Sequence, residues 1–359
     1  MKGINMKKVK KLKEGDTVTI VSLSSGLLGE KYCRHSLEIG LKRLNDMGLR
    51  TKFSPNALKG IEFIKNNPQE RANDLIWAFK DEDTSMILSA IGGFDTYKTI
   101  PYILENKEYL SIIKNTNKIF LGYSDSTINH LMFNMLGISS FYGQSFLPDI
   151  AELDSSMLEY SKKAFLSLFK EGKIVYKPSK FWYEERNSFG ADQINIPRLA
   201  HKEKYGYLSI QGKNKFSGIL IGGCLESISE LFINEDEIKI NQKYNLFTEK
   251  TDFKNKILLL ETSELKSYAK EIKEMLQKIS ETGCFNQLTG VIIGKPQNET
   301  FFFEYKNLFT KFFSQFPNLS VVYNINIGHA YPKMILQLLS KIEIDIENQT
   351  ITNFKNQFN

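Results

Sequence analysis

Residues 118–136, KIFLGYSDSTINHLMFNML, constrain the chain more than any other stretch. The run Ile119-Phe120-Leu121 predicts a short buried strand, and Ile128, Leu131, Met132 and Met135 then fall on one face of a helix. Between them lies Gly122-Tyr123-Ser124-Asp125-Ser126. Two readings of Ser124 fit. Ser and Asp are favoured helix N-caps, so the segment can simply start the helix. Alternatively, Gly122 and Ser126, two before and two after, let the backbone turn sharply around Ser124. Its hydroxyl is then exposed, with the Asp125 N–H aimed at a developing oxyanion.

The flanking sequence places this turn in a layered α/β domain. Residues 17–21 predict a strand, 31–47 a helix with Leu37, Leu41 and Leu44 inward, and 49–54 a second strand. Asn67-Pro68 opens a further helix, and 85–91 (SMILSAI) is a buried strand running into Gly92-Gly93. A helix carrying Tyr97, Ile100 and Ile103 is expected to be interrupted at Pro101. Strands alternating with helices imply a parallel sheet, whose functional groups gather at the strands' carboxyl ends. Residues 22–25, Gly92-Gly93 and Ser124 all fall there.

After a helix at 155–171 the composition changes. Residues 176–215 are polar and aromatic without clear periodicity, and read as a linker and active-site loop carrying Phe181, Trp182, Tyr183 and Phe189. A second domain is expected over 216–359, after a first over 1–175. It comprises a strand at 217–221, a turn at Gly222-Gly223 and a helix at 225–232, then a charged, exposed insertion at 233–254. Beyond that come a strand at 256–260, a helix at 263–283, a strand at 290–294, a Phe-rich helix at 301–316 and a strand at 319–322. A closing hairpin turns at 347–349.

Composition limits the function classes. The 359 residues are 42% hydrophobic and 25% charged, as in ordinary globular proteins. The net charge of +6 owes much to Lys2, Lys7, Lys8, Lys10, Lys11 and Lys13, read as a solvated basic terminus. No aromatic-rich basic stripe accompanies it, so no nucleic-acid polymer is expected. No apolar run reaches the ~18 residues of a membrane span, and no signal-peptide core follows the basic start, which points to the cytoplasm. Cys33, Cys224 and Cys284 are too far apart for a disulfide framework or a zinc site.

Three residues form an order in which each supplies what the next needs. A serine hydroxyl requires a neighbouring base, and the base an acid that holds its tautomer. Ser124, Glu261 at the end of Ile257-Leu258-Leu259-Leu260, and His329 in Gly328-His329-Ala330-Tyr331-Pro332 follow a known chain order for such a triad. Gly92 and Gly93 could add a second backbone N–H to that of Asp125. The competing reading of Glu261 is a helix N-terminal acid, which Thr262, Ser263 and Glu264 also suit. His130 reads as structural or solvated.

Seven short stretches, in order, resemble the LD-carboxypeptidase group of serine peptidases: GDTVTIVSLSSG, SAIGGFDTYKTIPYI, FLGYSDST, GILIGGCLESI, ILLLETSE, GVIIGK and NIGHAYP. That group includes muramoyl-tetrapeptide LD-carboxypeptidases and the microcin C immunity peptidases known as MccF. The resemblance implies Ser124 as nucleophile, His329 as general base and Glu261 as its orienting acid. It also implies a homodimer of two-domain chains, with no metal or organic cofactor. Cys224 stands where the family generally has asparagine. Ile91 stands where the LD-carboxypeptidases tend to carry arginine, and is more like the MccF branch. The expected substrate is therefore an aminoacyl or peptidyl nucleotide, with a murein tetrapeptide as the alternative and a catalytically silent peptide-binding protein as the reading from another class. In the MccF branch the 181–189 region resembles a segment that supplies an aromatic platform for the nucleobase, for which Trp182 and Phe189 are the candidates.

Overall fold

The computed structural model describes residues 9–355; Lys2, Lys7 and Lys8 of the basic terminus lie outside them. The chain forms two compact units, 1–171 with 186–198, and 172–185 with 199–359.

The first unit is built on five parallel strands in the order β5-β4-β3-β1-β2. They are β1 (Thr17–Val21), β2 (Arg50–Phe53), β3 (Thr84–Ser89), β4 (Ile119–Gly122) and β5 (Phe141–Tyr142). The helices are α1 (Arg34–Asp46), α2 (Gly60–Asn66), α3 (Pro68–Lys80), α4 (Ile100–Leu104), α5 (Lys107–Lys114), α6 (Thr127–Met135) and α7 (Glu159–Leu166). Apolar runs make the strands because both faces of such a sheet are covered. Val18, Ile20, Met86, Ile87, Leu88, Phe120 and Leu121 are buried, as are Leu75 and Ile76 of α3 and Ile128, Leu131 and Met132 of α6. Each such side chain contributes about 1.5–3 kcal/mol on leaving water. Pro101 does not break its helix as expected; it sits in the first turn of α4, where the missing N–H costs nothing. The helix expected over 155–171 is confined to α7.

The second unit carries an eight-stranded mixed sheet, β6-β16-β15-β10-β11-β12-β13-β9. Its strands, with a separate two-stranded ribbon of β7 and β8 and a two-residue strand β14, are β6 (Lys173–Tyr176), β7 (Phe181–Tyr183), β8 (Ala200–Lys202), β9 (Leu208–Gln211), β10 (Lys215–Cys224), β11 (Lys256–Glu261), β12 (Gly290–Gly294), β13 (Ser320–Ile325), β14 (Leu336–Gln337), β15 (Lys341–Asp345) and β16 (Thr350–Phe354). Strands β10 to β13 are parallel, and the others join antiparallel at the two edges. The helices are α8 (Leu225–Glu230), α9 (Glu235–Tyr244), α10 (Ala269–Ser280) and α11 (Phe302–Phe313).

Four expectations are corrected. The segment 176–215 is not a structureless linker: β7, β8 and β9 lie in it, and it is shared between the units, 186–198 going to the first. Arg186 and Arg198 fasten that piece by pairing with the buried carboxylate of Glu152, at 2.5 Å each. Gly222-Gly223 is not a turn but the continuation of β10, where a Cβ on Gly222 would lie 2.2 Å from the Leu259 carbonyl oxygen. The 233–254 insertion is not wholly exposed: α9 is capped by Asn234, and Phe247 and Phe253 are fully buried. The helix expected from 263 starts only at Ala269, so 262–268 is a connection.

Candidate active site

In the first unit, parallel register brings Val21 beside Ser89 and Leu88 beside Leu121, so the loops after β1, β3 and β4 emerge at one sheet edge. Ser124 has φ +62°, a left-handed backbone that a β-substituted residue adopts at a cost of about 1–3 kcal/mol. Its surroundings hold it there. The Ser124 N–H donates to the Tyr142 hydroxyl at 3.2 Å. A Cβ on Gly122 would lie 2.8 Å from Ser126 Oγ, and one on Gly92 2.7 Å from Ser124 Oγ, so both glycines are dictated by close approach. Ser126 occupies the N-cap of α6 without a side-chain cap bond; its hydroxyl instead pairs with Ser89 Oγ at 3.2 Å. Capping by side chain is thus not what these serines do.

The Asp125 side chain is buried and ties the loops together. Its Oδ2 accepts from Ser24 Oγ, from the Thr96 N–H at 2.9 Å and from Thr96 Oγ1 at 2.7 Å. Burial raises its pKa, against the pull of those donors. Beneath it the fully buried Arg71 guanidinium pairs with Asp95 at 2.6 Å and donates to the Leu23 carbonyl at 3.1 Å. The Gly92-Gly93 turn, where a Cβ on Gly93 would meet Ser24 Oγ at 2.3 Å, is thereby fixed against the Ser124 loop. His130 is structural: it is buried, bonds Ser140 Oγ at 2.7 Å and the Gly122 carbonyl at 3.1 Å, and burial lowers its pKa to about 4.

In the second unit Glu261 ends β11, fully buried, eight residues before α10 begins; it is not a helix-capping acid. Its Oε2 accepts from His329 Nδ1 at 2.7 Å and from the His329 backbone N–H at 3.2 Å. This approach explains two glycines. A Cβ on Gly328, whose φ is +89°, would lie 2.3 Å from Glu261 Oε2, and one on Gly294 2.8 Å from Glu261 Cβ. Burial pushes the His329 imidazole toward neutrality, but the Glu261 carboxylate and then Glu264 outweigh it and raise its pKa to about 10. Behind Glu261 the carboxyl of Glu226 is pushed up by burial and by the Glu261 charge. It accepts from the Ser263 N–H at 2.9 Å and from Ser263 Oγ at 2.8 Å. The Cys224 thiol donates to Glu226 Oε2 at 3.4 Å and is itself pushed well up, by burial first and then by the two carboxylates. The three cysteines are free and buried.

Sequence reasoning missed Glu264 as a site residue. Its Oε2 lies 2.9 Å from His329 Nε2, and that hydrogen bond, ahead of the opposing effect of burial, lowers its pKa to about 2. The spacing from Glu261 offered a faint signal, since Glu264 lies three residues beyond that strand-end acid, but the helix-start reading absorbed it.

The two candidate aromatics fall in different units. Trp182 is 9% exposed, its ring stacked on His201 at 4.2 Å and Lys295 Nζ 5.7 Å from its centroid. Strand β7 joins the histidine loop through the Tyr183 N–H, which donates to the Tyr331 carbonyl at 3.1 Å. Phe189 is 48% exposed in the first unit, where its carbonyl bonds His35 Nε2 at 2.9 Å. Among the described residues no helix is long and apolar enough to cross a membrane.

Comparison with known proteins places this arrangement. The LD-carboxypeptidase N-terminal domain model matches residues 18–143 and the LD-carboxypeptidase C-terminal domain model residues 217–344. A solved MccF-like protein from Streptococcus pneumoniae, in complex with AMP, is 44% identical, with a TM-score of 0.91 over 96% of this chain and 100% of that one. A MccF-like protein from Bacillus anthracis is 24% identical with a TM-score of 0.82, over 97% and 99%, and shares the fold. A Bacillus subtilis relative described as "Probable murein peptide carboxypeptidase" is 25% identical over 80% of this chain and 74% of its own. The chain therefore belongs to the LD-carboxypeptidase family of peptidases.

Proposed function

We propose that the chain is a serine hydrolase that cleaves the amide bond of aminoacyl or peptidyl nucleotides. Ser124 Oγ attacks the carbonyl carbon while His329 Nε2 takes its proton. The Gly93 and Asp125 N–H groups receive the oxyanion, and Gly92 leaves room for the substrate. The proton then passes from Nε2 to the departing nitrogen, leaving an acyl-enzyme and a nucleotide ending in an amine on phosphorus. Water repeats the sequence, giving the free carboxylate and restoring Ser124. Glu261 holds the Nδ1–H tautomer and stabilises the imidazolium at each step.

The observation that carries this reading is the 2.7 Å bond between the buried side chains of Glu261 and His329, at Nδ1. The left-handed Ser124 on its strand-to-helix turn supports the nucleophile. The nucleotide is supported by the AMP bound to the 44% identical relative. A second reading, release of D-alanine from a murein tetrapeptide, is favoured by the B. subtilis relative. On this proposal the protein acts in the cytoplasm, as a homodimer and without metal. Trp182 or Phe189 carries the base of the nucleotide. Mass spectrometry after incubation with an aminoacyl nucleotide and, separately, with a murein tetrapeptide tests it. The expected result is acyl release from the nucleotide alone; release of D-alanine alone assigns the second reading, and no product from either ends both.

A further inference from the structure

The imidazole of His329 is held between two carboxylates, and the triad uses only one. Glu261 takes Nδ1, as a base requires. Glu264 takes Nε2, at 2.9 Å, which is the atom that must receive the proton from the nucleophile. A hydroxyl cannot give its proton to a nitrogen already donating to an anion, so Glu264 has to leave before the base can work. The two acids differ in their freedom to do so. Glu261 is fully buried on a strand, whereas the Glu264 side chain is 51% exposed on the 262–268 connection. Its neighbour Ser263 is pinned by Glu226, so what moves is the Glu264 side chain and not the loop.

A carboxylate that leaves an imidazolium is either resolvated by water or paired with another cation, and only the second replaces the charge-assisted bond it gives up. Lys333 is a second positive group acting on it, buried with its Nζ 4.1 Å from the Tyr331 ring centroid. The substrate is another source. A carbonyl attacked by a hydroxyl bonded to Nε2 sits about 3–3.5 Å from the attacking oxygen before reaction. The α-nitrogen of an aminoacyl group is only two covalent bonds, of about 1.5 Å each, from that carbonyl carbon. A carboxylate that starts on Nε2 therefore reaches the α-nitrogen by a side-chain rotation.

We propose that Glu264 is a specificity-determining carboxylate that exchanges His329 Nε2 for the free α-ammonium group of the substrate's acyl residue. Binding a cationic acyl end thus removes the carboxylate that holds the Nε2 proton, which then passes to solvent and leaves Nε2 free to act as the base, while an N-acylated end leaves it capped. The assignment rests on the hydrolase reading above and extends it to the acyl half of the substrate.

The test uses a non-hydrolysable aminoacyl sulfamoyl adenosine and its Nα-acetyl counterpart, titrated calorimetrically into the wild-type protein and into Glu264→Gln. The wild type is expected to bind the free amine more tightly, by up to about a hundredfold because the bond gained to the ammonium is offset by the one given up at His329, and the variant to bind both equally. A purely structural role for Glu264 would weaken both analogues alike and leave their ratio unchanged. Equal wild-type affinities, a preference that survives in Glu264→Gln, or no binding of either analogue overturns the inference. Failure of the hydrolase reading looks different. The preference then appears and depends on Glu264, but the hydrolysable aminoacyl nucleotide releases no acyl group; that result upholds the carboxylate and removes the chemistry.

Discussion

The two halves of the proposed machinery are built in opposite ways. Around Ser124 the turn itself is local: five consecutive residues, with a left-handed φ of +62° at Ser124 and no side chain on Gly122, make the elbow, and Gly92 closes on it from the loop after β3. The Glu261–His329 pair is assembled from residues 68 apart in sequence, brought together where β11 ends and where the loop after β13 returns. The elbow stores its cost in the backbone, about 1–3 kcal/mol. The pair stores its cost in desolvation, and removing one partner of a buried charge pair typically costs about 3–5 kcal/mol. One half is therefore sensitive to side chains for chemistry alone, while the other couples chemistry to stability.

The largest effect expected is on the elbow. Ser124→Ala should lower turnover on the order of a millionfold, because triad members act as a unit, and should leave the melting temperature unchanged. Undiminished turnover would point to another nucleophile. The pair should answer differently. Glu261→Gln should keep the fold and lower kcat on the order of ten-thousandfold with little change in KM, because the amide no longer holds the Nδ1–H tautomer or balances the imidazolium in the transition state. It should also melt earlier than Ser124→Ala. A variant that melts earlier but keeps full activity would reduce Glu261 to structural support. Equal melting of the two variants would erase the contrast.

The same contrast explains what was legible in the sequence. Apolar runs such as Ile119-Phe120-Leu121 and Ile257-Leu258-Leu259-Leu260 announce buried strands because both faces of these sheets are covered. The elbow is readable because its turn residues, 122–126, are consecutive, although Gly92, Ser89 and Tyr142 meet it only through the fold. Contacts between distant segments are not. Gly222 resembles a turn residue, but its missing side chain serves the close approach of β11. Strands β7 and β8 are three residues each and pair with one another across a segment that visits the other unit, so no periodicity marks them. Glu264 meets His329 only through the fold, and Glu261 could be separated from a helix cap only once α10 was seen to begin at Ala269.

A smaller effect sharpens the account of the pair. A general base works in its neutral form, and the His329 pKa is raised to about 10. The groups facing it include Glu261 and Glu264 directly, Glu226 and Cys224 behind Glu261, and Lys333 beside Glu264. With an Nα-acetylated substrate, whose acyl end does not titrate, kcat/KM should therefore rise with pH, about tenfold per unit, until it levels near that pKa. Glu264→Gln should move the midpoint to lower pH, still above 6.5 because Glu261 remains. Superimposed profiles would show that Glu264 does not cap the base in solution. Stability runs the other way. A folded pKa above the unfolded value contributes stability that is full below 6.5 and lost as pH rises through about 10. Urea unfolding across that window should follow this sign in the wild type and be shallower in Glu264→Gln.

The smallest effect bears on substrate choice and sets one unit against the other. Trp182 belongs to the unit that carries His329, its ring already covered by His201 and bordered by Lys295. Phe189 belongs to the unit that carries Ser124 and is 48% exposed. Stacking a base on a ring is worth about 1–3 kcal/mol, roughly tenfold to a hundredfold in affinity. If Phe189 is the platform, Phe189→Ala should weaken AMP binding by that factor, leave a murein tetrapeptide unaffected and leave the melting temperature unchanged, because an exposed ring supports little. Trp182→Ala should instead lower the melting temperature by releasing the His201 stack and disturbing the β7 contact to the histidine loop, and should weaken both ligands alike. The reverse pattern, selective loss of AMP in Trp182→Ala, would place the base on the histidine's own unit. Loss of both ligands in both variants, tracking thermal stability, would assign the whole 181–189 segment to packing and remove it from recognition.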